Sequence, residues 1–476
     1  MAIVGGGISG VAAAFFLRDS GAAVTVLEGA PRVGGKLAVS EIAGVAVDEG
    51  AEALLARRPE GTDLIGAVGL DGQLVSPGTA AAAIWTRGRL RPMPRRQFFG
   101  VPADLDELET TGLLSADGMA RARDDLRRPA TERDADVAVA SQVGARFGQE
   151  LVDRLVDPLL GGVYAGRSEE LSFEATMGGL AQASRKNRSL AMAAASLLPP
   201  PPSQASASAG AAAPAPIFTT LSEGLGTLPP AVAAASGATV RTGAMTRELT
   251  RTDAGWRLTI GSAHSPEYLD ADAVILAVPA APAARLLNKV PGATVAAAAL
   301  AEFSYASMAI VTLAYPQDAF SQPPQRSGYL VPAVDTRPVK AVTFSTVKWP
   351  HLRQHSGMEI VRCSVGRVGE EALLQRDDAE LASLAAADLS AATGVRGRPA
   401  AARVSRWGGG LPQYAVGHLD RVARIRTGVA ALPGVAVCGA AYDGVGVPAC
   451  IATARQAADQ VLDYLGSRAA AAASAR

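Results

Sequence analysis

The chain opens on a short continuous apolar run, Ala2-Ile3-Val4, that breaks directly into Gly5-Gly6-Gly7-Ile8-Ser9-Gly10. Such a run, ended by glycines, predicts a buried strand and a tight turn. An Ala-rich apolar stretch over 11–19 follows and stops at Ser20-Gly21, which predicts a helix with a glycine stop. Ala23-Val24-Thr25-Val26-Leu27 then predicts a second strand, ended by Glu28. Strand, turn, helix and strand in this order predict a parallel βαβ unit.

Further along, Ile84-Trp85-Thr86 and Arg89-Leu90 around Gly88 predict a β-rich piece that leads into Pro92-Met93-Pro94. From 104 to 188 the pattern is helical, with charge-rich stretches such as 121–128, and predicts an inserted helical domain. Residues 193–216 are almost entirely Ala, Ser and Pro, including Pro199 and Pro202, and predict a mobile loop without a core. Thr239-Val240-Arg241, Trp256-Arg257-Leu258-Thr259-Ile260 and the run 273–279 predict strands of the same nucleotide-type domain as the N-terminus. Strands at 309–314 and 339–347 predict a second sheet. The chain closes with a strand at 435–439, a glycine-rich turn and a helix over 449–464, a strand–turn–helix series like the first one.

The fold class expected is therefore α/β. A Rossmann-like domain is assembled from discontinuous segments, 1–65, 219–290 and 404–466. A mixed-sheet domain spans 66–103 and 291–403, a helical domain 104–190, a flexible loop 191–218 and a tail 467–476.

Length supports that division, because 476 residues exceed what one hydrophobic core usually serves. Lys plus Arg (45) equals Asp plus Glu (45), so no global charge points to nucleic acid or an anionic membrane. Cys363, Cys438 and Cys450 are too few and too scattered for a disulfide framework or a CxxC pair, which fits a reducing cytoplasm. His351 and His355 lack nearby acidic or thiol partners and read as loop or surface histidines rather than a metal site. No run of about 18 uncharged apolar residues predicts a membrane span. The first strand begins at Ala2 and leaves no room for a targeting peptide, and the Ala-rich end beyond Leu465 reads as a frayed helix end.

The N-terminal unit carries chemistry. Gly5 permits the tight turn, Gly7 lets the backbone approach a pyrophosphate, and Gly10 lets helix and strand pack closely. The helix N-terminus offers free N–H groups and partial positive charge to phosphates, and Glu28 can accept from ribose hydroxyls. After Glu28 come Gly29-Ala30-Pro31-Arg32-Val33-Gly34-Gly35-Lys36 and then Val47-Asp48-Glu49-Gly50-Ala51-Glu52. A basic residue and a Gly-Gly pair just past the acid resemble the flavoprotein amine oxidase and desaturase superfamily, which implies FAD as cofactor.

Three stretches narrow the resemblance. They are Asp157-Pro158-Leu159-Leu160-Gly161-Gly162-Val163-Tyr164-Ala165-Gly166 followed by Glu170-Leu171-Ser172; Arg406-Trp407 with Leu411-Pro412-Gln413-Tyr414 and Gly417-His418; and Gly439-Ala440-Ala441-Tyr442-Asp443-Gly444-Val445-Gly446-Val447-Pro448-Ala449-Cys450-Ile451. Together they resemble the protoporphyrinogen and coproporphyrinogen oxidases over nearly the whole chain, the Ala/Ser/Pro loop and the tail excepted.

Carried over by position, the resemblance assigns Gly5, Gly6, Gly7, Ile8, Ser9, Gly10, Glu28, Gly29, Gly35, Lys36, Gly50, Ala51, Glu52 and Ala53 to the flavin nucleotide. Met245 falls where the family places a small branched residue whose backbone meets the adenine. Trp407, Gly439, Val445, Gly446 and Val447 would lie beside the flavin. The activity implied is the six-electron oxidation of coproporphyrinogen III to coproporphyrin III by FAD and O2, with hydrogen peroxide released, in haem biosynthesis.

Protoporphyrinogen IX is the alternative substrate, and a non-catalytic FAD- and tetrapyrrole-binding relative is the alternative class. An amine oxidase or desaturase of the same superfamily is less consistent with the placement of Cys438 and Cys450. The flavin carries the chemistry, so no catalytic acid or base is assigned. Arg89, Arg91, Arg95 and Arg96 cluster on the segment that matches the family's substrate side. Arg91 or Arg95 is the expected carboxylate clamp, a solvated basic loop being the competing reading. Gly162, Val163 and Tyr164 are expected to flank the macrocycle, with helix packing as their competing role.

Overall fold

The fold was analysed in a computed structural model, which describes residues 1–130, 135–199, 216–355 and 357–474. Five parallel strands form one sheet, in the order Thr239–Arg241, Thr25–Leu27, Ala2–Val4, Val274–Leu276 and Val435–Val437. The register sets Ile3 between Val26 and Ile275, with Ala436 beyond, and all four are buried. Their runs are apolar throughout because helices cover both faces, as parallel sheets require. Helix Ile8–Phe16 and the last helix, Val447–Ser474, share the core on one face. Ala280–Leu287, Thr294–Ala301 and His418–Ala430 pack on the other.

A second, mixed sheet has seven strands, in the order Ala401–Pro412, Tyr305–Pro316, Met358–Val365, Val339–Phe344, Gly328–Leu330, Ala82–Thr86 and Arg89–Pro92. Gly328–Leu330 and Ala82–Thr86 run parallel and the other neighbours antiparallel. Side chains alternate across it. Ala309, Val311, Leu313, Val361, Cys363 and Val365 pack beneath helix Asp378–Thr393, while Met308, Ile310, Ala341, Thr343, Arg362 and Ser364 face the other way. A layer of helices from Leu105–Thr111 to Leu190–Ser196 keeps its own core.

The strand Trp256–Ser262 lies in a separate antiparallel sheet with Thr246–Arg251 and Ser265–Ala271, packed on the core that Ala2, Val4 and Val274 share. Its buried Trp256, Leu258 and Ile260 alternate with more exposed residues, the pattern of a sheet covered on one side. Residues 404–412, expected in the nucleotide domain, are the end of Ala401–Pro412 in the seven-stranded sheet.

The expected loop 191–218 overlaps regular structure at both ends. Leu190–Ser196 is a helix whose Ser189 hydroxyl accepts from the Met192 N–H (3.1 Å), with Ala191, Ala193 and Ala194 buried, and Phe218–Leu221 is a strand. Alanine supplies helix propensity as readily as it supplies low complexity. The rest of that expectation falls on 200–215, outside the described residues. The last helix likewise continues through the Ala-rich end to Ser474 instead of fraying after 465; residues 475–476 lie outside the description. Among the described residues, no helix is long and apolar enough to cross a membrane.

Candidate functional site

One cavity of about 1150 Å³ runs from the carboxyl ends of the parallel strands to the face of the seven-stranded sheet turned away from helix Asp378–Thr393. Open α/β sheets bind ligands at that edge. Val4 and Ala277 end two adjacent strands and both line it.

The N-terminal turn shapes the first wall. Gly5 has φ +106°, and a Cβ there would lie 2.7 Å from the Ala277 carbonyl oxygen. A Cβ at Gly10 would collide with the Gly5 carbonyl, so turn and helix are locked together by the absence of a side chain. Gly7 differs: it lines the cavity, and a Cβ there would meet nothing within 4 Å. It caps helix Ile8–Phe16 without a side-chain partner, which leaves first-turn N–H groups free for an anion. Glu28 accepts from the Gly6 N–H (2.6 Å) and the Ala30 N–H (2.7 Å), which fixes its carboxylate at the cavity edge. These features fit a dinucleotide: open space over Gly7 for a pyrophosphate, bare N–H groups beneath it and a held carboxylate at the ribose end.

The next wall is the turn at 50–53. A Cβ at Gly50 would collide with the Lys36 carbonyl. Trp407 Nε1 donates to the Glu49 carbonyl (2.9 Å), and Arg362 donates to the Gly50 carbonyl (2.6 Å) and to Glu52. Lys348 donates to the other Glu52 oxygen (2.6 Å). Burial alone would raise the Glu52 pKa, but the two cations and their hydrogen bonds outweigh it and hold the carboxyl at about 2. Beside it, burial pushes Asp48 up to about 6, opposed by N–H groups of Gly226 and Leu225 and by Arg362. Lys36 also lines the cavity; its ammonium lies 6.0 Å from the centre of the Tyr305 ring, and burial lowers its pKa.

Gly5, Gly7, Ile8, Ser9, Glu28, Gly29, Gly35, Lys36, Gly50, Ala51, Glu52, Ala53, Met245, Trp407, Gly439, Val445 and Val447 thus line one cavity, together with Gly162 and Val163. Met245 is 54% exposed at the mouth, against Gly29, where a Cβ would lie 2.7 Å from its Cε. Gly6 and Gly10 are buried in the first turn, and Gly446 is exposed in the second; none of the three lines the cavity.

Three expected substrate residues are not at the cavity. Tyr164 is buried behind Gly162 and Val163, its ring 5.6 Å from Tyr414, because a helix cannot turn adjacent residues to one side. Arg95 is 91% exposed and pairs with Glu107 (3.2 Å). Arg91 sits on the edge strand Arg89–Pro92, opposite Ile84 and against Gly112. Neither arginine lines the cavity: Arg91 is held on the edge strand and Arg95 in the exposed segment after it.

Conversely, the sheet face at Met308, Ile310, Ala341, Thr343, Arg362 and Ser364 went unnoticed in the sequence, as did Arg247 and Arg285 near the nucleotide end. A usable signal was present in Ile360-Val361-Arg362-Cys363-Ser364-Val365, where every second residue of the apolar run on one face turns polar.

A family model described as flavin containing amine oxidoreductase matches residues 8–462. The chain is 37% identical to the coproporphyrinogen III oxidase of Mycobacterium tuberculosis (strain ATCC 25618 / H37Rv), over 98% of both chains. It is 31% identical to that of Bacillus subtilis (strain 168), again over 98% of both. A solved structure from Exiguobacterium sp. 255-15, provisionally named a protoporphyrinogen oxidase, superposes with TM-score 0.84 at 31% identity, covering 97% of this chain and 98% of that one. Reduced UDP-galactopyranose mutase superposes with TM-score 0.70 at 15% identity, covering 97% of this chain and 93% of the other, a likeness of fold alone.

Proposed function

The chain belongs to the flavin-containing amine oxidoreductase family, and from that premise we propose that it is an FAD-dependent oxidase converting coproporphyrinogen III to coproporphyrin III in haem biosynthesis. The observation that carries the proposal is the single cavity of about 1150 Å³. It exceeds the roughly 300–1,000 Å³ of an ordinary ligand site, and it runs from a dinucleotide cradle to a sheet face that presents Met308, Ile310 and Ala341. One cavity with two such ends suits a flavin and a flat macrocycle side by side. Similarity at 31–37% identity to coproporphyrinogen III oxidases along the whole chain supports that substrate.

The parallel sheet and its helices form the FAD-binding unit, the seven-stranded sheet forms the substrate side, and the helical layer closes the far end. FAD supplies a two-electron acceptor that O2 reoxidises with release of peroxide, so three rounds remove six electrons. The protein's own residues bind and orient. The turn at 5–10 with the Ile8–Phe16 helix end would hold the pyrophosphate, and Glu28 would take ribose hydroxyls. Gly35, Lys36, the 50–53 turn, Trp407 and 445–447 would hold the flavin part, and the Met245 backbone would meet the adenine. Lys36 adds a positive charge in partly dehydrated surroundings, where charge acts strongly. Gly162, Val163 and the face at Met308, Ile310, Ala341 and Thr343 shape the slot for the macrocycle.

Purified protein assayed on both porphyrinogens in air, with peroxide recorded, tests the proposal. Higher kcat/KM on coproporphyrinogen III is expected. The Exiguobacterium likeness supports protoporphyrinogen IX as the second reading, and at least tenfold higher kcat/KM on that substrate would replace the first.

A further inference from the structure

The motif Gln413-Tyr414 with Gly417-His418 has no place in the mechanism above. Gln413 is 4% exposed, Tyr414 2% and His418 0%, and none of the three lines the cavity. What they do touch is the backbone of both its walls.

On the flavin side, the Tyr414 hydroxyl donates to the Ala440 carbonyl (2.7 Å) and accepts from the Gly444 N–H (2.8 Å). His418 Nε2 lies 2.8 Å from the Tyr442 carbonyl. A carbonyl only accepts, so the ring must carry its proton on Nε2. Three alternate residues of the C-terminal glycine turn, 440, 442 and 444, are thereby held by two side chains. The two rings stack 3.7 Å apart at 17°, and Phe303 meets His418 edge-on at 5.7 Å.

On the substrate side, Gln413 Nε2 donates to the Tyr164 carbonyl (2.8 Å) at the end of helix Asp157–Tyr164, which presents Gly162 and Val163 to the cavity. The Tyr164 ring packs against Tyr414, and the Ser172 N–H donates to the Tyr414 carbonyl (2.7 Å).

We propose that Tyr414 and His418 are positioning residues that hold the 439–446 turn against the end of helix Asp157–Tyr164, fixing the two facing walls of the cavity as one body. This rests on the reading that FAD occupies the cavity, and it gives the motif a task that needs no contact with cofactor or substrate. The brace is specific in its chemistry. The turn's carbonyls take donors at two points and its Gly444 N–H takes an acceptor.

Tyr414→Phe keeps the ring stack and removes only the hydroxyl, while His418→Leu removes the donor to Tyr442. His418→Gln places an amide donor near the former Nε2. Titration of each apoprotein with FAD, and circular dichroism of the flavin bands of each holoprotein, read the wall directly.

Tyr414→Phe and His418→Leu are expected to weaken FAD binding about tenfold and to alter the flavin-band dichroism, tenfold being about 1.4 kcal/mol or one net hydrogen bond. His418→Gln is expected to restore affinity to within about threefold of wild type. Wild-type FAD affinity and dichroism in Tyr414→Phe would overturn the proposal, and so would a His418→Gln protein no better than His418→Leu. Neither readout involves porphyrinogen, so a failure of the proposed substrate would leave this result separately visible.

Discussion

Replacing Glu52 by Gln tests the electrostatics of the 50–53 turn. The Glu52 side chain is 13% exposed, between Lys348 at 18% and Arg362 at 8%. The ordinary carboxyl value of 4.5 falls to about 2 in the fold, since the two cations outweigh burial. At 1.36 kcal/mol per pKa unit, that depression is linked to about 3 kcal/mol of stability. A group whose pKa is lowered by folding stabilises above its unfolded value and loses that contribution as pH falls. The Glu52 contribution is therefore complete above about pH 4.5 and fades toward pH 2. Gln keeps one carbonyl oxygen but turns an NH2 toward the second cation, leaving buried positive charge without its partner.

Urea unfolding of wild-type and Glu52→Gln apoproteins at pH 7 should show the variant less stable by about 3 kcal/mol. At pH 3.5 the gap should narrow to about 2 kcal/mol, because part of the wild-type advantage has been titrated away. Taking the difference between the two proteins cancels the carboxylates that do not feel Glu52; Asp48 does feel it, and its pKa should fall in the variant once that neighbouring charge is gone. Affinity for FAD should also drop, since Arg362 ties Glu52 to the Gly50 carbonyl at the cavity wall. A gap under about 1 kcal/mol at pH 7, or one of equal size at both pH values, would refute the reasoning.

Two glycines of the first turn should fail in different ways. Gly7→Val adds a side chain to open cavity space at an ordinary φ of −69°, so the apoprotein should melt as wild type while FAD affinity falls by at least about a hundredfold; unchanged affinity would remove the pyrophosphate from this position. Gly10→Ala drives a Cβ into the Gly5 carbonyl, so the apoprotein itself should lose about 3 kcal/mol in urea unfolding, and a wild-type transition would refute that collision. Arg95→Ala should leave KM for coproporphyrinogen within about twofold, because the side chain is 91% exposed and away from the cavity; a tenfold rise would return it to the substrate.

What could be read from the sequence was local. Ala2-Ile3-Val4, the glycines, an apolar helix, Thr25-Val26-Leu27 and Glu28 follow one another without a gap, and each step has one physical interpretation. The parallel partners at 239, 274 and 435 were visible as short runs, but their order in the sheet depends on pairings between residues far apart. Trp256–Ser262 is legible as a strand from its alternation, but that it pairs only within its own antiparallel sheet depends on partners the local pattern does not name. The Ala-rich segments misled, since composition cannot separate a linker from a helix that finds a surface to cover.

The arginines show why charge in a sequence does not locate a site. Register carries one row across the seven-stranded sheet from Ala341 to Leu330, to Ile84 and to Arg91. Three strand spacings put Arg91 about 14 Å from the cavity wall at Ala341. Among the described lining residues the cations are Lys36, Arg247, Arg285 and Arg362. Arg362 is committed to Glu52 and Gly50, and Arg247 and Arg285 share the nucleotide end with Met245. Apart from Lys36, the proposed macrocycle end then carries no lining cation of its own. Gly162 and Val163 are exposed, so propionates directed past them would stay in water at little cost, whereas burying them unpaired would be prohibitive. Selectivity between four carboxylates and two then turns on which edges of the macrocycle must be dry, and KM should change little with ionic strength. A steep rise of KM with salt would mean that a cation outside this lining reaches the substrate after all.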